Sequence, residues 1–290
     1  MGLELPQRVR KAGMWTAASA GLLLLSACSS ADQEQIKRLA MPEPATDRAP
    51  AIYDLWHGAW LAAILVGILM WGLIGWACFK YRRRSHDEIP VQTRYNLPLE
   101  ILYTVAPIVM VLVFFYYTVT TQNDVLEEVS ADEADHHVMV VGQQWSWTFN
   151  YLEDDALDGS TSVYEGGTTA DRPTLVLPVD ETVVVDLRSP DVIHSFWVPA
   201  FLFKMDVVPG RDNSFSFTPT TEGEFVGRCA ELCGAYHSRM LFNVEVVSAE
   251  EYAAHLQELA DQGQTGVAQG GSDADTQPGL EDESAQGEAE

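Results

Sequence analysis

The chain has 290 residues, of which 47% are hydrophobic, and a formal net charge of −25. That length leaves room for more than one module. The acidic excess excludes a phosphate-backbone partner, so no nucleic acid is expected.

The chain opens with a basic stretch, Arg8, Arg10 and Lys11, then an apolar run over 17–25, then Leu25-Ser26-Ala27-Cys28. This order describes a secretory signal peptide over 1–27. A cysteine directly after Leu-Ser-Ala resembles the bacterial lipoprotein signal, which implies lipidation of Cys28. An ordinary signal peptide or a third helix with an incidental cysteine are the plainer alternatives. Residues 28–54 then form an extracytoplasmic N-terminal segment.

No charged residue occurs from 58 to 79 or from 101 to 123. Each run is long enough to cross a hydrocarbon core as a helix, which takes roughly 20 apolar residues. A transmembrane helical hairpin is therefore expected over 55–123. Its loop carries Lys80, Arg82, Arg83, Arg84 and Arg94, and basic residues in short loops stay cytoplasmic. The N-terminus and everything beyond about Thr121 then lie outside. In a bacterial cell this makes a multi-pass plasma-membrane protein with an extracytoplasmic head.

The head, 124–261, contains short β-like runs at 137–141, 146–151, 174–178, 182–187, 214–217, 224–228 and 241–247. Many alternate apolar and polar residues, as half-buried strands do. Strands of this length with Gly, Pro and Asp punctuation suggest a β-sandwich or barrel. Residues 153–171 read as a surface excursion. From 262 to 290 the chain has no aromatic residue and no Lys or Arg, and is expected to be a disordered acidic tail.

The chemistry concentrates in Cys229-Ala-Glu231-Leu-Cys233-Gly-Ala-Tyr-His237-Ser-Arg-Met240, with His194 on an earlier turn. Two thiolates, two imidazoles and a thioether suit copper. One cysteine, two histidines and a methionine would serve a mononuclear site. The second cysteine, four residues on, allows both thiolates to bridge a pair of ions. A plain disulfide is the bland alternative in an oxidising compartment. A thioredoxin-like copper-delivery protein is another.

Three stretches carry a family resemblance: His194-Ser-Phe-Trp-Val-Pro199, Lys204-Met-Asp-Val-Val-Pro-Gly-Arg211, and Gly227-Arg-Cys229 through Met240. With both helices, they resemble cytochrome c oxidase subunit II over about 55–247. The resemblance implies a mainly β fold, a two-helix transmembrane hairpin followed by a cupredoxin-like Greek-key β-sandwich. It implies the dinuclear copper centre Cu-A, held by His194, Cys229, the backbone oxygen of Glu231, Cys233, His237 and Met240. The Glu231 side chain would reach a magnesium ion shared with subunit I. Gly142-Gln-Gln-Trp145-Ser-Trp147 resembles the patch where an electron arrives from cytochrome c, with Trp145 as the accepting residue. Trp147 has an equally good reading as a strand aromatic, and Gln143 stands where the family often has His. Glu100, ahead of Thr104 and Pro107, resembles the family's glutamate at the entrance of a proton pathway in subunit I.

The implied function is that of the electron-accepting subunit of a proton-pumping oxidase, with subunits I and III and a soluble or membrane-tethered cytochrome c as partners. Carboxylates within 124–135 and 153–155 are candidates for attracting a basic donor. The rival functions are a copper-free quinol oxidase subunit, the Cu-A domain of a nitrous oxide reductase, and copper delivery. The full ligand set argues against the first, and the two membrane helices without room for a propeller argue against the second.

Overall fold

A computed structural model describes residues 30–85, 88–131, 133–157 and 159–270. The expected signal peptide and Cys28 lie outside these residues. The chain divides into two compact units, 1–43 and 44–290. In the first, the described part contains helix α1 (Ser30–Lys37), with Lys37 paired to Glu34 across one helical turn at 2.6 Å.

The second unit holds the expected hairpin. Helix α2 (Ala49–Lys80) and helix α3 (Leu97–Val125) are each strongly apolar over a membrane-spanning length, and none of the described residues buries those stretches. At about 1.5 Å per residue both exceed the ~30 Å hydrocarbon thickness of a bilayer. Pro50 suits the first turn of α2, where its missing N–H costs no helical bond. Ahead of α2 the chain is sewn onto the head. Ala45 donates to the Ala200 carbonyl, and its own carbonyl accepts from Thr220 N–H. Arg48 then bridges to the far end of α3 through the Asp124 carbonyl at 2.9 Å. Both outer helix ends thus meet at the head, as the loop charges require.

The head is a sandwich of two five-stranded sheets. One has the order β3 (Val163–Gly166), β2 (Ser146–Tyr151), β1 (His136–Gln143), β5 (Val183–Arg188), β8 (Asn213–Phe217). The other runs β4 (Thr174–Pro178), β10 (Leu241–Val247), β9 (Gly223–Cys229), β6 (His194–Val198), β7 (Phe203–Val207). β1 pairs parallel with β5 and β4 with β10, while the other pairings are antiparallel. The chain crosses between the sheets after β3, β4, β5, β7 and β8, and this mixed Greek-key sandwich is cupredoxin-like.

Between the sheets lies an aromatic core. Trp147, Phe149 and Tyr151 point inward from β2 at the period-2 spacing of a strand. Phe196 stacks on Phe242 at 5.0 Å, and Trp147 meets both edge-on. Trp147 is fully buried in β2 within this aromatic core.

Four features depart from expectation. β3 lies inside the 153–171 excursion. His194 opens a strand instead of sitting on a turn. Helix α4 (Ala249–Asp261) follows β10, started by a reciprocal Ser248–Glu251 capping box and docked by buried Tyr252, Leu256 and Leu259. The segment after 262, expected to be disordered, is ordered at its start. Tyr164 N–H donates to the Gln264 carbonyl and Gly266 N–H to the Ser162 carbonyl. Buried Asn150 then clasps Ala268, accepting from its N–H at 2.7 Å and donating to its carbonyl at 3.2 Å. A side-chain amide clamp offsets the ordering entropy that composition alone cannot. Residues 271–290 lie outside the described residues.

At the start of β1, His136 is buried between two carboxylates. Its Nδ1 lies 2.7 Å from Asp154, and its Nε2 meets Glu181. Tyr252 of α4 donates to the same Asp154 at 2.8 Å. Burial opposes a charge on His136, but the two carboxylates outweigh it and raise its pKa. Burial likewise pushes Asp154 up, yet His136 and the Ala156 N–H hold it below the usual range. This network ties the excursion, the β4–β5 turn and α4 to one imidazole. Of the acidic residues 153–155, Asp154 is committed to the interior, while Glu153 and Asp155 are exposed.

Candidate metal centre

The centre forms where β6 begins and β9 ends. Phe196 is in register with Cys229, which brings His194 beside the loop that follows Cys229. That loop, 230–240, is closed at its base by Cys229 N–H on the Met240 carbonyl at 3.0 Å and by Ala230 N–H on the Ser195 carbonyl at 3.0 Å. A single 3-10 turn (His237–Arg239) then aims His237 and Met240 back at the cysteines.

Five side chains and one backbone oxygen converge there. The two Sγ atoms of Cys229 and Cys233 are 3.8 Å apart and not joined. His194 Nδ1 lies 3.9 Å from Cys229 Sγ, and His237 Nδ1 lies 3.6 Å from Cys233 Sγ. Met240 Sδ is 3.7 Å from Cys233 Sγ, and the Glu231 carbonyl oxygen is 3.2 Å from Cys229 Sγ. His194, Cys229, Cys233 and Met240 are all buried. The donor atoms of His194 and the two cysteines fall within 4.8 Å of one another, as a metal group requires. The donor set is soft and water-poor, which fits copper and disfavours hard cations.

Electrostatics agree. Cys229 is drawn well below the usual thiol range, first by its hydrogen bond with Cys233 and then by His194, against the pull of burial. Cys233 is pushed up by its charged neighbour and by burial. One thiol is thus ready to ionise, and a bound cation supplies the attraction that releases the second proton.

Trp145 sits against this loop. Its Nε1–H donates to the Cys233 carbonyl at 3.2 Å, and its ring meets Tyr236 edge-on at 5.0 Å. The neighbouring Gln144 side chain donates to the same carbonyl at 2.6 Å. Gly234 makes this approach possible. Its φ of +125° belongs to glycine, and an added Cβ would stand 3.0 Å from the indole nitrogen.

Two residues near the centre were not anticipated, Gln144 and Asp191. The Asp191 carboxylate accepts from His194 Nε2–H at 2.9 Å and from Gln144 N–H at 2.7 Å. Burial would raise its pKa, but the hydrogen bonds from His194, Gln144 and Val192 bring it down to about 2. The spacing Asp-x-x-His was the available signal. Those same carboxylate contacts raise the His194 pKa against its burial.

Glu100 is elsewhere. It lies in the first turn of α3, where its carboxylate accepts from Asn96 N–H at 2.8 Å and so helps cap the helix. It stands at the end of α3 away from the head, and that helix is about 40 Å long. The Glu231 side chain is exposed.

Fold and site together define a membrane-anchored, cupredoxin-like protein with an extracytoplasmic head and a thiolate–imidazole metal group. Residues 136–247 match the family described as cytochrome C oxidase subunit II, periplasmic domain. A probable cytochrome c oxidase subunit 2 of Streptomyces avermitilis is 46% identical, with 92% of each chain covered. That of Streptomyces coelicolor is also 46% identical over the same shares. The periplasmic domain of subunit II of cytochrome oxidase (CoxB) of Bradyrhizobium japonicum, a solved structure, is 32% identical over 44% of this chain and 96% of its own, with a TM-score of 0.39. The chain belongs to the cytochrome c oxidase subunit II family, and is thereby a subunit of a haem–copper oxidoreductase complex.

Proposed function

We propose that this subunit accepts electrons from a c-type cytochrome and delivers them to haem a of subunit I, for oxygen reduction coupled to proton pumping. The site for this is a dinuclear Cu-A centre held by His194, Cys229, the Glu231 carbonyl, Cys233, His237 and Met240. A copper pair held there would supply one-electron transfer with little rearrangement of the residues around it.

One observation carries the reading: two thiols 3.8 Å apart, each with an imidazole Nδ1 within 4 Å, in a buried pocket. A mononuclear site has no use for the second thiol, and a disulfide has none for the histidines. Burial of both sulfurs also opposes a delivery role, which needs a thiol that a partner can reach.

The chain's own groups divide the work. Cys229 and Cys233 would hold the copper through their sulfurs and His194 and His237 through their imidazoles, with Met240 and the Glu231 carbonyl as weaker donors. The surrounding aromatic core excludes water and keeps the shell rigid. Trp145, one hydrogen bond from the Cys233 carbonyl, receives the electron from the donor, soluble or membrane-tethered. The exposed Glu231 carboxylate would serve as one ligand of a magnesium ion shared with subunit I. Glu100 stands at the inner membrane boundary as a proton-pathway entrance at that interface. Cys28 is the lipidated N-terminus of the mature protein. The subunit sits in a bacterial plasma membrane beside subunits I and III.

Metal analysis of the full chain, reconstituted with copper in detergent, tests this. Two coppers per chain are expected. One copper, or none with Cys229 and Cys233 disulfide-linked, would contradict it.

A further inference from the structure

We infer that Asp191 is a positioning residue that holds the copper ligand His194 and the donor-facing turn at Trp145 in one rigid frame. The inference rests on the copper reading above and adds to it a residue outside the ligand set.

Asp191 lies in the loop between β5 and β6, three residues before His194. Its two oxygens have different tasks. Oδ1 accepts from Val192 N–H at 2.6 Å, lies 3.1 Å from Ser189 Oγ, and accepts from His194 Nε2–H at 2.9 Å. Oδ2 accepts from Gln144 N–H at 2.7 Å. The Gln144 side chain donates in turn to the Cys233 carbonyl, which also receives the Trp145 indole. A closed path of hydrogen bonds therefore runs from His194 through Asp191 and Gln144 to Cys233. It joins the imidazole beside one sulfur to the backbone of the residue that bears the other.

Two consequences follow from elementary chemistry. A carboxylate on Nε2–H fixes the tautomer, leaving the Nδ1 lone pair toward Cys229 Sγ, and it raises the basicity of that nitrogen. The anionic oxygen also favours the more highly charged, oxidised metal centre. The second oxygen fixes the Gln144 N–H, one residue before Trp145. Small movements of the donor-facing turn are therefore resisted by the metal ligand itself.

The plain alternative is that Asp191 only caps its own turn through the Val192 N–H. The substitution D191N separates the two, because asparagine keeps one acceptor for the turn while removing the charge and the second acceptor. The full chain in detergent, loaded with copper, is titrated for midpoint potential and copper affinity, with thermal stability measured alongside.

Positioning predicts that copper binds about 10- to 100-fold more weakly in D191N and that the potential rises. D191E retains the charge but cannot hold both partners at once, and an intermediate potential is expected. Wild-type potential and copper affinity in D191N, whatever its melting temperature, would overturn the inference. Where D191N does not fold, a wild-type potential in D191E overturns it. Failure of the copper reading is seen separately, in a wild-type chain that binds fewer than two coppers.

Discussion

The two ends of strand β1 each adjoin a buried histidine bound to an aspartate, His136 at its start and His194 of β6 beside Gly142 at its other end, and they are built for opposite purposes. At the copper end, His194 gives Nε2 to Asp191 and turns Nδ1 toward Cys229 Sγ. At the far end, His136 gives both nitrogens to carboxylates, Asp154 and Glu181. An imidazole with one nitrogen engaged is an oriented ligand. An imidazole with both engaged is a charged strut, with no lone pair left for a metal. The number of free nitrogens, set by one extra carboxylate, separates the functional end from the structural one.

Changes at the copper end should therefore remove function and spare the fold, and changes at the far end should do the reverse. The largest expected effect is that of C229S, which removes one of the two thiolates proposed to bridge the coppers. Copper content should fall below two per chain and electron transfer to haem a should cease, with the melting profile of the copper-free chain little altered. W145F comes next. Copper stays bound while stopped-flow reduction by a cytochrome donor loses most of its rate, and a normal rate with soluble donor would remove Trp145 from the route.

At the far end, H136Q leaves Asp154 buried without its counter-charge. A loss of about 3 kcal/mol in unfolding free energy is expected from breaking such a pair, with copper content unchanged. A loss of copper in that variant would break the comparison. This loss should depend on pH. The His136 pKa is raised from 6.5, so its contribution is complete below that value and fades as pH climbs through the folded value. The Asp154 pKa is lowered from 3.8, so its contribution is complete above that value and fades as pH falls through the folded one. The stability gap between wild type and H136Q is then widest between 3.8 and 6.5 and narrows on both sides. Denaturant melts across that range measure it.

The smallest effect belongs to N150A, which unclasps residues 264–268 from the sheet. A cost of about 1–2 kcal/mol is expected for the lost amide bonds. Hydrogen exchange at the Ala268 amide should accelerate while copper binding does not change.

The copper end was more legible in the sequence than the far end, for a physical reason. Cys229, Cys233, His237 and Met240 are packed into one short loop, and their chemistry is unusual enough to read without neighbours. The hairpin was equally plain, because an uncharged apolar run of that length has little use outside a bilayer. His136, Asp154, Glu181 and Tyr252 are ordinary residues from four separated segments, and only the fold brings them together. β6 escaped notice because its burial pattern lacks alternation, with both faces covered near His194. The strap at 264–268 escaped because what holds it is Asn150, more than a hundred residues earlier. Helix α4 was readable, since Ser248 and Glu251 form a capping box ahead of Tyr252, Leu256 and Leu259. Asp191 was also readable in principle, as an acid three residues before a ligand histidine.

The central claim is that one electron is shared between two coppers bridged by Cys229 and Cys233. Electron paramagnetic resonance on the oxidised, copper-loaded full chain tests it most directly. The account predicts more hyperfine lines than a single copper nucleus can produce. A spectrum with the line count of one copper would contradict it, and would return the cysteine pair to a mononuclear site.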